Sequence, residues 1–85
     1  MTDLAAPAGA WAVIPRGTAN PVVVQNNSSV PVLIFVGATA PPATQVSNCR
    51  LLLPKLSDQL TVLSDDNIYI KSDANLPALC NIWFG

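Results

Sequence analysis

Residues 30–43 read VPVLIFVGATAPPA, and the way this stretch is covered decides the fold. Val30 to Val36 carries no polar side chain. Successive residues of a strand point to opposite faces, so a run of this kind is greasy on both. A half-buried strand would alternate apolar with polar instead. Gly37 and the pair Pro41-Pro42 stop the run. Pro31 has no N–H for a ladder, so the strand starts at a sheet edge or enters the sheet only after that residue. The run points to a strand near a boundary, its second face shielded by another subunit, although a buried central strand would show much the same run.

Outward from that strand, the rest of the chain repeats its character. Eight prolines, at 7, 15, 21, 31, 41, 42, 54 and 77, leave little room for a long helix. Between them lie runs rich in Val, Ile, Leu and aromatic residues, predicting strands over 11–14, 22–25, 30–36, 49–53, 59–63, 67–71 and 79–84. PKLSDQLTVL is ambiguous, because Leu56, Leu60 and Leu63 also fall at helical spacing. The Thr-Val pair and the following Asp65-Asp66 turn favour a strand. Asn26-Asn27-Ser28-Ser29, Asp65-Asp66-Asn67 and Ser72-Asp73-Ala74-Asn75 read as turns, the first as a tight hairpin that uses Asn at positive φ. The sum is an all-β chain: a small antiparallel β-sandwich or barrel of about seven short strands, residues 10–85, preceded by an extended N-terminal arm, residues 1–9.

Composition sharpens the question of cover. The 85 residues are 51% hydrophobic and 11% charged, with a mean hydropathy of +0.42. Soluble domains carry about 25% charged residues, and a sparsely charged surface is poorly defended against association. Part of the folded surface is therefore expected to be covered by other chains. Trp11, Val30, Val32, Phe35, Trp83 and Phe84 are the candidate interface residues. Adjacent strand residues face opposite ways, so only one of Trp83 and Phe84 can enter the core.

The residue inventory narrows the chemistry. The net charge is −1, from four cations against five Asp, and without a basic run nucleic acid is not an expected partner. No apolar stretch approaches the roughly 18 residues of a spanning helix, so none is expected at a membrane. Asp3, Pro7 and Pro15 disqualify the N-terminus as an export signal, which predicts synthesis in the cytoplasm without that route. With no His in the chain, neither a Ser–His–Asp nor a Cys–His arrangement can be assembled from it. The reading is therefore not an enzyme, with no cofactor and no metal. Asp65, Asp66, Asn67 and Asp73 could offer oxygens to a calcium ion, yet their spacing fits no defined loop. Cys49 and Cys80 sit within apolar runs, which favours buried free thiols over a disulfide, a metal pair or a reactive thiol.

One resemblance adds to this. NPVVVQNNSSVPVLIFVGATAPPAT and, further on, CRLLLPKLSDQLTVLSDDNIYIKSDANLPALCNIWF resemble small all-β virion proteins of tailed bacteriophages over about residues 20–84. The marks are Val30–Gly37 followed by Ala40-Pro41, Leu52-Leu53-Pro54, Asn67–Ser72 with Tyr69, and Leu79–Trp83. Lys55 stands where those proteins usually have Gly, and both cysteines depart from their pattern. The resemblance implies a structural component of the virion, of the capsid decoration or cement type. Such a protein self-associates, commonly as a trimer, and binds the major capsid protein. A tail, fibre or baseplate component is the alternative, and a carbohydrate-binding sandwich using Trp11 and Trp83 a further one. The arm would then lie over a neighbour.

Overall fold

A computed structural model describes residues 2–16, 20–45 and 47–84. They form eight strands and, among the described residues, no helix: β1 (Thr2–Ala6), β2 (Ala12–Val13), β3 (Val22–Asn26), β4 (Val32–Gly37), β5 (Arg50–Leu52), β6 (Ser57–Leu60), β7 (Asn67–Ser72) and β8 (Ala78–Phe84). Two four-stranded antiparallel sheets, ordered β1-β8-β3-β6 and β2-β7-β4-β5, stack as a sandwich. The expectation of a small all-β sandwich holds.

Alternation sets which side chains meet between the sheets. Val22 and Val24 of β3 face inward, as do their register partners Leu60 and Ile82. From the second sheet, Val32 and Ile34 of β4 project inward beside Ile68 and Ile70 of β7. Ile14, Leu52, Ala78 and Cys80 complete the cluster. At roughly 2 kcal/mol per buried aliphatic side chain, this one layer is the main stabilising term.

Two connections differ from the turn chemistry expected of them. β3 and β4 belong to opposite sheets, so residues 27–31 form an arch and not a tight hairpin. No residue from 26 to 29 has a positive φ. Asn26 is instead the last residue of β3, fully buried, and its Oδ1 accepts the Ser28 N–H at 3.1 Å in an Asx turn. Ser72–Asn75 likewise carries the chain from one sheet to the other, with the Asp73 N–H bonded to Pro31 O at 2.9 Å.

Pro31 also explains where β4 starts. The strand begins one residue later, and once in the sheet it lies between β7 and β5. It is an interior strand, which corrects the expectation of one at a boundary. Residues 2–6, read as part of an arm, are extended and pair with β8 of the same chain, Leu4 opposite Cys80.

Lys55 occupies the positive-φ position of the β5–β6 turn, at φ 67°. Pro54 precedes it, and Leu56 N–H bonds Leu53 O at 3.2 Å, the signature of a turn that prefers Gly at this place. A left-handed residue with a side chain costs about 1–2 kcal/mol, and the greater freedom of unfolded Gly offsets part of that. Lys55→Gly is expected to stabilise the fold by about 0.5–1 kcal/mol, read as a rise in the urea midpoint. An unchanged or lower midpoint contradicts this account of the turn.

Candidate functional site

The second face of β4 is covered from within the chain. Leu33 and Phe35 point away from the core, beside Lys71 and Tyr69 of β7, with Leu51 of β5 and Val13 of β2 flanking them. On an open sheet face these side chains would be wet, yet Leu33 is only 6% exposed and Tyr69 8%. Two segments close over them. Trp11, just before β2, stacks toward Phe35 with ring centroids 6.1 Å apart, and Phe35 stands 6.5 Å from Tyr69. From the other side comes the Ala- and Pro-rich segment 38–45 that follows β4.

Three side chains of the sheet face hold that segment by its carbonyls. Trp11 Nε1–H donates to Pro42 O at 3.0 Å, and Lys71 Nζ donates to Ala43 O. Asn67 Nδ2 reaches Ala38 O at a longer 3.4 Å. Lys71 Nζ also stands 5.6 Å from the centre of the Trp11 ring, within cation–π range. Gly37 makes room beneath: a Cβ there would fall 2.7 Å from Phe35 Cε2. The aromatic ring can lie against the backbone only because this residue has no side chain.

This arrangement redistributes the candidate interface residues. Val32 is fully buried between the sheets and cannot meet a partner in the folded chain. Val30 is half-buried against the same core. Trp11 and Phe35 are half-buried in the aromatic layer just described. Trp83 and Phe84 remain exposed, at 39% and 37%. Phe84 shares the core-facing side with Val22 at the end of β8, whereas Trp83 lies on the opposite, outer face beside Val23. Sequence reasoning passed over Leu51, Leu53, Leu56, Leu63, Leu76 and Leu79, all exposed. Their neighbours in sequence gave them the pattern of core residues, and only the turn positions reveal them as surface.

Beside Trp83, Val23 and Leu79, the outer face of the first sheet carries polar side chains. Asn81 Nδ2 donates to Asp3 Oδ1 at 2.6 Å across β8 and β1. At the far sandwich edge, Arg50 of β5 and Asp58 of β6 form an ion pair of 2.9 Å between the sheets. With the Arg50 side chain 57% exposed, the pair contributes at most about 1 kcal/mol.

Asp65 and Asp66 lie before β7 and Asp73 after it, a separation of about 20 Å at 3.3 Å per residue. They cannot share an ion. Among the described residues no three His, Cys, Asp or Glu side chains cluster as metal ligands, and no ligand-sized cavity opens. No helix is long and apolar enough to cross a membrane among those residues.

Both cysteines are free thiols, Cys80 in the core and Cys49 half-buried. Burial raises the Cys49 thiol, with Lys71 opposing in part. Burial pushes the Cys80 thiol from 9.0 up to about 11. The folded state thus keeps a proton that the unfolded chain releases above pH 9. Stability is expected to be unaffected by this group below pH 9 and to fall as pH rises from about 9 to about 11, by about 2 kcal/mol. Urea titrations across that window should show a shallower fall in Cys80→Ala than in the parent chain. Equal slopes rule the thiol out as the cause.

No family model, no curated protein and no solved structure matches the chain.

Proposed function

We propose that this chain is a non-enzymatic structural protein of a virion, a capsid decoration or cement protein that self-associates and binds neighbouring capsid subunits. The observation that carries the reading is the set of large apolar side chains left exposed by a complete fold: nine among the described residues, on a chain with only nine formal charges. The accessible surface of 4555 Å² is close to the roughly 4,800 Å² of a folded monomer of this mass. The chain therefore does not need a partner to close its core. What a partner would cover is a set of particular side chains, with Trp83, Leu79 and Leu63 foremost. Trp83 and Leu79 share the outer face of the first sheet and Leu63 stands on the β6–β7 turn; exposed aromatic and Leu side chains of this kind are the material of assembly contacts.

Size-exclusion chromatography with light scattering tests the self-association. A mass above 8.9 kDa at micromolar concentration is expected, falling toward the monomer in Trp83→Ser without loss of folded structure. A clean monomer at about 100 μM overturns the reading. Electron cryomicroscopy of intact particles tests the virion assignment through density for the chain on the capsid; density confined to the tail or baseplate selects the alternative component. The carbohydrate reading has no geometric support, because Trp11 and Trp83 stand on opposite outer faces of the sandwich.

A further inference from the structure

We propose that Trp11 and residues 38–45 form a clasp, latched by Lys71 of β7, that opens as a unit while the sandwich stays folded, baring an aromatic face of sheet β2-β7-β4-β5. The clasp and the core are separate structures. None of Trp11, Phe35 and Tyr69 belongs to the core cluster, whose members lie between the two sheets. Opening on the outer side of one sheet therefore leaves that packing intact.

The segment itself has little to hold it down. Residues 38–40 and 42–44 are exposed, and 38–45 pairs with no strand. Its own backbone bond is local, Gln45 N–H to Pro42 O at 3.0 Å. Attachment to the sheet rests on the three side-chain donors described above, of which the Asn67 contact is long. Lys71 is the latch, because it holds both halves from the folded sheet: its Nζ bonds the Ala43 carbonyl and stands over the Trp11 ring. The segment is also built to move as a piece. Pro41 and Pro42 fix its middle, Gly37 lies at its root, and Asn48 takes a left-handed φ of 58° on the return toward β5. Regions with few buried contacts and few backbone bonds are those that open below the global free energy. Opening would uncover Leu33, Phe35 and Tyr69, an apolar surface that the closed chain conceals.

The native thiol Cys80 supplies an internal clock for global unfolding, since it is fully buried in the core. Cys49→Ser combined with Leu33→Cys leaves one thiol under the clasp and one in the core. Labelling with a thiol reagent, resolved site by site by mass spectrometry, is expected to modify position 33 at least about 100-fold faster than Cys80. Adding Lys71→Met, which retains the stem and removes the charged donor, should speed position 33 by roughly tenfold and leave Cys80 unchanged. A single shared rate for the two thiols overturns the proposal, as does a Lys71→Met effect that is nil or equal at both. Should the position-33 variant itself weaken Cys80 protection, the unaltered sequence serves. A soluble paramagnetic probe should then broaden the Leu33 methyl signals, more so in Lys71→Met, while those of Ile34 stay sharp. Equal protection of Leu33 and Ile34 in both chains refutes the clasp.

Discussion

Asn26→Ala is expected to destabilise the protein by about 3–4 kcal/mol, enough to leave a domain of this size close to unfolded at room temperature. The side chain is fully buried at the end of β3, where an amide is tolerated only if its donors and acceptor are all occupied. They are. Nδ2 donates to Val30 O at 2.8 Å and to Leu52 O at 3.0 Å, the second bond crossing to the other sheet. Oδ1 accepts from Ser28 N–H and, at 2.6 Å, from Ser28 Oγ. The backbone of the same residue bonds Leu56 O and the Lys55 N–H. Truncation takes the side-chain donor from the buried Leu52 carbonyl and one of two donors from the Val30 carbonyl, which keeps Ser28 Oγ at 3.1 Å; it also removes the anchor of the 27–31 arch and leaves a cavity. Chemical denaturation followed by circular dichroism measures the loss. A change under 1 kcal/mol means that water or a shifted Ser28 takes over the amide's role, and the residue is then no keystone.

The next largest effect is expected at the other end of the sandwich. Arg16 is buried, and its Nη2 donates to Leu63 O at 2.7 Å and Asp66 O at 2.6 Å. These carbonyls belong to the turn that carries the chain from β6 to β7, closed by Asp66 N–H to Leu63 O at 3.0 Å. Charge-assisted bonds to backbone carbonyls are the stronger kind. Arg16→Met keeps most of the apolar stem and removes the donors, so the expected loss is about 2–3 kcal/mol. Arg16→Lys should recover only part of it, since one ammonium cannot reproduce the planar fork. Equal stability of the Met and Lys variants would show that packing of the stem, and not the hydrogen bonds, fixes this turn.

Much of the architecture was legible because the interior strands carry it in their own residues. β3, β4, β7 and β8 coincide with runs of Val, Ile and aromatic side chains to within one or two residues. β1 was not legible as a paired strand. Thr-Asp-Leu-Ala-Ala has little intrinsic strand preference, and its conformation comes from the pairing with β8. Likewise, β6 was read two residues late, because Thr61 and Val62 are better strand formers than Ser57 and Asp58.

The misplacement of Val32 has a sharper cause. Every residue from Val30 to Val36 is apolar, so sequence parity could not say which alternate set faces the core and which the aromatic layer. Once both faces read as greasy, a second chain was the natural cover, and the covering segment was in plain view as the Ala-Pro stretch after Gly37. Its Ala- and Pro-rich composition marks it as a loop. Nothing in the composition says over which surface a loop lies; that depends on single donors such as Lys71 and Trp11, far away in sequence.

The pairing of β1 with β8 joins the second residue to the eighty-second, and among the described residues only the β4–β5 link connects strands adjacent in one sheet. Nearly every native contact is thus remote along the chain, which raises the contact order and slows the search for the native topology. During synthesis β3 has no partner on one side, and β1 none at all in its sheet, until Ala78–Phe84 has left the ribosome. The nascent polypeptide must keep its valine- and isoleucine-rich segments from aggregating for that whole interval.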